Sequence, residues 1–198
     1  SMSAHIRSVK ESIKEIVRRV TATNGNLRLR LAFVGFRGVN EKGEFFDFVS
    51  DAEQFESFLN GIRTWGGDGS FADIAHGVQQ ANILNWEQHS RTVFLIGDYP
   101  CHGTDFSQFD SRRFPNGTPG IDIVRELKLL RDSKGAGTMS LNFGRITTYT
   151  DMMIDRFKSH GISFDVVDVN NASMTKTVTK GIRKSIFKTM TFTNAGTR

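Results

Sequence analysis

The chain has 198 residues, 38% hydrophobic and 24% charged, with 26 basic and 21 acidic residues giving a net charge of +5. That is enough to bury the core of one domain, and the charges are interspersed, so no basic tract marks a nucleic-acid interface. The single cysteine, Cys101, excludes an internal disulfide and points to a reducing, cytoplasmic setting, and no apolar run approaches the ~20 residues of a membrane span.

The chain opens on Ser1-Met2, which is a tag remnant or the continuation of a longer sequence, and lacks the pattern of a secretory leader. Residues 5–20 read as an amphipathic helix, with Ile6, Val9, Ile13, Ile16, Val17 and Val20 at three- and four-residue spacing. A strand follows at 27–34, then a shorter one at 45–49, close enough to pair antiparallel at a sheet edge. Residues 51–63 are predicted helical, with Asp51 as N-cap and Phe55, Phe58, Leu59 and Ile62 as the buried stripe. A Gly-rich turn at 66–70 leads to a helix at about 71–85.

The stretch 91–103, RTVFLIGDYPCHG, organises the rest. Its unbroken apolar and β-branched run from Thr92 to Ile96 is that of a central strand covered on both faces. It stops at Gly97-Asp98, which puts a carboxylate at the carboxyl end of the strand, where open α/β sheets bind ligands. Residues 99–120 form a long connection without periodicity that holds all three prolines; loops of this length are commonly functional. A helix at 121–132, a strand at 138–143, a helix at 149–159, a strand at 162–169 and a closing helix at 173–189 complete the chain. The tail 191–198 is polar. The alternation predicts one α/β domain over 1–190, with a doubly wound, mostly parallel sheet and one short antiparallel edge strand.

These residues resemble a von Willebrand factor A domain, most closely those that accompany α-kinases of the myosin-heavy-chain-kinase type. The resemblance rests on Asp98-Tyr99-Pro100-Cys101-His102-Gly103, on Phe114-Pro115-Asn116-Gly117-Thr118-Pro119, and on Asn142-Phe143-Gly144-Arg145-Ile146 leading to Thr150-Asp151-Met152-Met153-Ile154. It implies a three-layer Rossmann-like fold and a metal-ion-dependent adhesion site with three parts. Asp98 matches the aspartate that ends strand four. Asp68, in Gly66-Gly67-Asp68-Gly69-Ser70-Phe71-Ala72-Asp73, is the best match in a loop that departs from the family's pattern. It is one residue longer between the aspartates and lacks the Pro and Glu, so Asp73 reads equally as a first-turn carboxylate. Ser1 is the second hydroxyl ligand if Ser1-Met2 is the remnant of the first motif; the first aspartate, hydroxyl and strand then lie upstream.

Oxygen ligands of this kind suit Mg²⁺, Mn²⁺ or Ca²⁺. What the resemblance implies is a non-catalytic interaction module that holds a partner's acidic side chain through the metal, with any kinase domain elsewhere. Metal binding by the chain as it stands is expected to be weak or absent. The alternative is a Rossmann-like hydrolase or phosphotransfer enzyme, with Asp98 as nucleophile or metal ligand, His102 as acid/base, and Asp105, Asp110 or Asp168 as convergent acids. Adjacent Cys101 and His102 form no Cys–His hydrolase pair and, with no second cysteine, no zinc site. Two structural expectations follow from the resemblance. The missing first strand should lie between the strands near 30 and 95, leaving either a vacant slot there or an adjustment that closes it, and direct pairing of the two would mean that Ser1-Met2 is no remnant. Phe106, Phe109 and Phe114 should anchor the 99–120 loop or form a contact surface.

Overall fold

The computed structural model describes residues 11, 14, 15, 18, 22, 29–62, 71–87, 90–109, 113–132 and 138–168. Residues 11, 14, 15, 18 and 22 are helical, in or just past the predicted 5–20 helix. The predicted closing helix and tail lie outside the described residues.

Strands β1 (Leu31–Gly35) and β2 (Glu44–Val49) pair antiparallel, with Phe33 opposite Phe46 and Gly35 opposite Glu44. The turn between them is closed by Glu41, whose N–H donates to the Gly38 carbonyl and whose carboxylate accepts from the Gly38 N–H at 2.9 Å. Gly43, just before β2, is required because a Cβ there would stand 2.5 Å from the Gly35 carbonyl oxygen. Helix α1 (Ala52–Gly61) starts as predicted at Asp51, whose carboxylate accepts the N–H groups of Glu53 and Gln54. It buries Phe55 and Leu59, and its Phe58 stacks on Phe46 with centroids 4.4 Å apart.

The second sheet is parallel, in the order β3 (Ser90–Gly97), β4 (Thr138–Arg145), β5 (Asp165–Asp168). Helices α2 (Ile74–Asn82), α3 (Ile123–Asp132) and α4 (Asp151–Ser159) pack on it. Ile74, Val78, Leu127, Met153 and Phe157 from these helices join Leu95, Leu141 and Phe143 in one buried cluster. The helices predicted at 5–20 and 173–189, which a doubly wound sheet needs for its other face, fall largely outside the described residues. What is described is a mixed α/β fold compatible with a Rossmann-like sheet. No helix among the described residues is long and apolar enough to cross a membrane.

Several features differ in detail from the sequence reading. Residues 71–73, predicted as the start of a helix, are extended, and α2 begins only at Ile74 behind the Asp73 cap. Among the described residues β3 pairs with β4 alone, so β4 is the middle strand and β3 an edge. Thr92, Val93, Phe94 and Ile96 are accordingly half-buried rather than buried. Helix α3 begins two residues later than predicted because Asp122 caps it, accepting from the N–H groups of Val124 and Arg125. β5 begins at 165 because Ile162 belongs to the end of α4. Gly161, at φ 78°, donates to the Lys158 carbonyl and Ile162 to that of Phe157, a Schellman closure that buries Ile162 completely.

Among the described residues the strands near 30 and 95 do not pair with each other, and β1 and β3 fall in separate sheets. The extended segment 71–73 ties their ends together. The Asp73 N–H donates to the Arg37 carbonyl at 2.7 Å, the Ala72 N–H to that of Pro100 at 3.4 Å, and Ala72 bridges Cys101 in parallel fashion. The carboxyl ends of β1 and β3 therefore open on one face, which carries Asp98.

Candidate functional site

Asp98 stands one residue beyond β3, and its position is fixed through its main chain. Its carbonyl accepts the Thr147 hydroxyl, and the neighbouring Gly97 carbonyl accepts the Ile146 N–H at 3.3 Å. The β3 end is thus locked to the turn that leads from β4 into α4. Among the described residues the Asp98 carboxylate makes no hydrogen bond or ion pair, and the residue is half-buried. A fixed backbone with an uncommitted hard-oxygen ligand is what a cation site needs from one of its members.

Asp73 is the opposite case. It is 3% exposed, and its Oδ1 accepts from the His76 N–H at the start of α2 and from the Thr118 hydroxyl at 2.7 Å. It is the N-cap of α2 and the anchor of the 98–120 loop, so of the two readings of this residue the structural one holds. The loop is closed on itself as well. Thr104 donates its N–H and its hydroxyl to the Pro115 carbonyl. Gly103, at φ 112°, packs against Gly117 at a distance where a Cβ would meet its N at 3.4 Å.

The loop aromatics divide by role. Phe106 packs on Phe157 and the core, with ring centroids 5.2 Å apart. Phe114 meets His102 edge-on. Phe109 joins Tyr99 and Tyr149 in a triangle with centroids 5.0–5.4 Å apart, too tight to admit a ligand between the rings. All three phenylalanines are half-buried, and Tyr149 stays 45% exposed beside Asp98. Anchoring to the body is therefore observed for Phe106 and Phe109, while Phe114 packs on a residue of the loop itself.

Cys101 is 1% exposed, and burial pushes its thiol up to about 12. It is held as a neutral thiol, which suits neither a nucleophile nor a metal ligand. His102 is 9% exposed, and burial holds its imidazole below its ordinary value. The convergent acids of the enzyme alternative are engaged elsewhere. Asp168 is bonded to Arg145 at 2.6 Å, which lowers its carboxyl, and Asp105 faces Arg156 at 3.7 Å. Asp110 lies outside the described residues.

Of the expected metal ligands, the structure places Asp98. Ser1 and Asp68 lie outside the described residues. Among the described residues no cluster of three His, Cys, Asp or Glu side chains is poised to hold a metal. Asp98 fits such a site as one ligand, and one carboxylate does not make a divalent site by itself. Sequence reasoning missed Thr147 and Thr118. Thr147 sits in an unremarkable Thr-rich stretch, and the bond from Thr118 to Asp73 spans 45 residues, beyond any local pattern.

No family model matches the chain. The α-protein kinase vwkA of Dictyostelium discoideum is 30% identical over 184 residues, which cover 86% of this chain and 28% of that protein. The chain thus spans about a quarter of that relative's length. The crystal structure of the conserved hypothetical protein BatB from Bacteroides thetaiotaomicron superposes with a TM-score of 0.56 at 14% identity, covering 91% of this chain and 88% of that one. That likeness is one of fold.

Proposed function

We propose that the chain is a von Willebrand factor A-type interaction module of an α-kinase-containing protein, and that it binds a protein partner through a divalent metal. The observation that carries the reading is the uncommitted carboxylate of Asp98 at the carboxyl end of a parallel strand. The similarity to an α-protein kinase over most of this chain supports the kinase association. The similarity to BatB over nearly the whole chain supports the fold.

In this reading Asp98, with Ser1 and Asp68, supplies oxygen ligands to Mg²⁺, Mn²⁺ or Ca²⁺. The metal, when bound, supplies an open coordination position for a partner's acidic side chain. The work of this chain's own residues is placement. Thr147 holds the Asp98 backbone, and segment 71–73, fixed by Asp73 and Thr118, joins the ends of β1 and β3 beneath it. The module itself is not catalytic, and kinase chemistry belongs to other parts of a longer protein. A buried, unpaired Cys101 agrees with a cytoplasmic setting.

The test is retention of partners by the immobilised chain in Mg²⁺ and in EDTA, for the wild type and Asp98→Ala. The expected result is retention that EDTA and the substitution both remove. Retention indifferent to EDTA contradicts the metal-dependent reading.

A further inference from the structure

The ring of His102 joins three segments that meet on the Asp98 face. It stacks on Phe71 at 5.2 Å and 27°, ahead of α2, and meets the edge of Phe114 at 4.8 Å, in the exit limb of the 98–120 loop. His102 itself lies in the entry limb. Its Nδ1 is sealed from solvent and has no hydrogen-bond partner among the described residues. In the neutral Nε2–H tautomer the sealed Nδ1 carries no proton. The imidazolium cation carries one on both nitrogens, so charging that tautomer places a buried N–H at Nδ1 with no acceptor among the described residues. A buried unsatisfied donor is destabilising.

We propose that His102 is a pH-sensitive latch: neutral, it holds the loop limbs 98–109 and 113–120 against residues 71–73, and protonated, it releases them and opens the Asp98 face.

The charged and titratable groups around the ring divide in sign. Burial disfavours the cation most strongly, the Asp73 carboxylate favours it, and the Arg113 guanidinium, lying over the Phe114 ring at 5.4 Å, opposes it. His76 approaches the other side of Asp73, its Nδ1 3.7 Å from Oδ2, and competes for the same carboxylate. Cys101, the preceding residue, stays neutral. The net direction is a value in the closed loop below the ordinary 6.5. A depressed value in the closed state makes the closed loop bind fewer protons than the open one. Latching is therefore complete above the open-state value and is lost as pH falls through it toward the closed-state value. The closed-to-open ratio falls by about tenfold for each unit of depression. The proposal stands independently of the metal reading.

The experiment is hydrogen exchange of this chain at pH 7.5 and pH 5, corrected for the intrinsic rate and read over residues 99–118, for the wild type and His102→Phe. The Phe variant keeps a ring between Phe71 and Phe114 and removes the titration. The expected result is protection lost at pH 5 in the wild type and kept in the variant, with β3 and β4 unaffected in both. Protection that is pH-independent in the wild type, or lost equally in the two, overturns the proposal. If the Phe variant does not fold, an NMR titration of the His102 ring in the wild type decides. A midpoint below 6.5 that coincides with shifts in the 99–118 amides supports the latch, and a midpoint at or above 6.5 overturns it.

Discussion

Asp73 and Asp98 flank one face of the molecule and have opposite environments. Asp73 is nearly sealed, and its carboxylate caps a helix and takes the Thr118 hydroxyl. Asp98 is half-buried, its main chain held by Thr147 and its carboxylate uncommitted among the described residues. A buried carboxylate is tolerated because its bonds replace water. The Asp73 Oδ1 is committed to two donors, and its Oδ2 faces His76. The difference teaches that a carboxylate at a strand or helix end is a ligand candidate only when the fold fixes its backbone and leaves its oxygens alone.

The comparison is broken most forcefully at Asp73. Asp73→Ala removes the α2 cap and leaves the Thr118 hydroxyl buried without its acceptor, for an expected loss of about 2–4 kcal/mol in denaturant unfolding. Thr118→Val, made alongside it, should cost about 1–2 kcal/mol, and the double variant should fall short of additivity because both remove one bond. Additive losses would mean that Thr118 does not act through Asp73. At the other pole, Asp98→Ala should change stability by no more than about 0.5 kcal/mol, since its carboxylate supports no other described group. A loss as large as that of Asp73→Ala would show that Asp98 is a structural residue and erase the contrast.

Much of the fold was legible in the sequence because its signals are local. The apolar run 92–96 announced β3, Asp51 announced the start of α1, and Gly97-Asp98 marked the strand end. The status of β3 as central or edge was not legible, because its run of residues records a strand built to be covered, whereas pairing depends on which neighbour lies beside it. Ile162 read as a strand residue because it is apolar and precedes Ser163-Phe164; it was taken instead by the Schellman closure of α4. On the site, the strand end made Asp98 a candidate, and its role as a ligand came only with the family resemblance. The choice between a ligand and an anchor at Asp73 depended on Thr118, and the sealed Nδ1 of His102 on Phe71 and Phe114, all brought in by tertiary structure.

The central claim is that Asp98 serves a divalent metal shared with residues beyond the described ones. Calorimetric titration of Mg²⁺ tests it most directly, on the present chain and on a version extended by twenty residues upstream of Ser1, each with and without Asp98→Ala. The account predicts weak or no binding by the present chain, clearly tighter binding by the extended one, and loss of that binding on substitution. Equal affinity in the two, abolished by Asp98→Ala, would mean that the site is assembled from other residues. Binding by the extended chain that survives Asp98→Ala would contradict the claim outright.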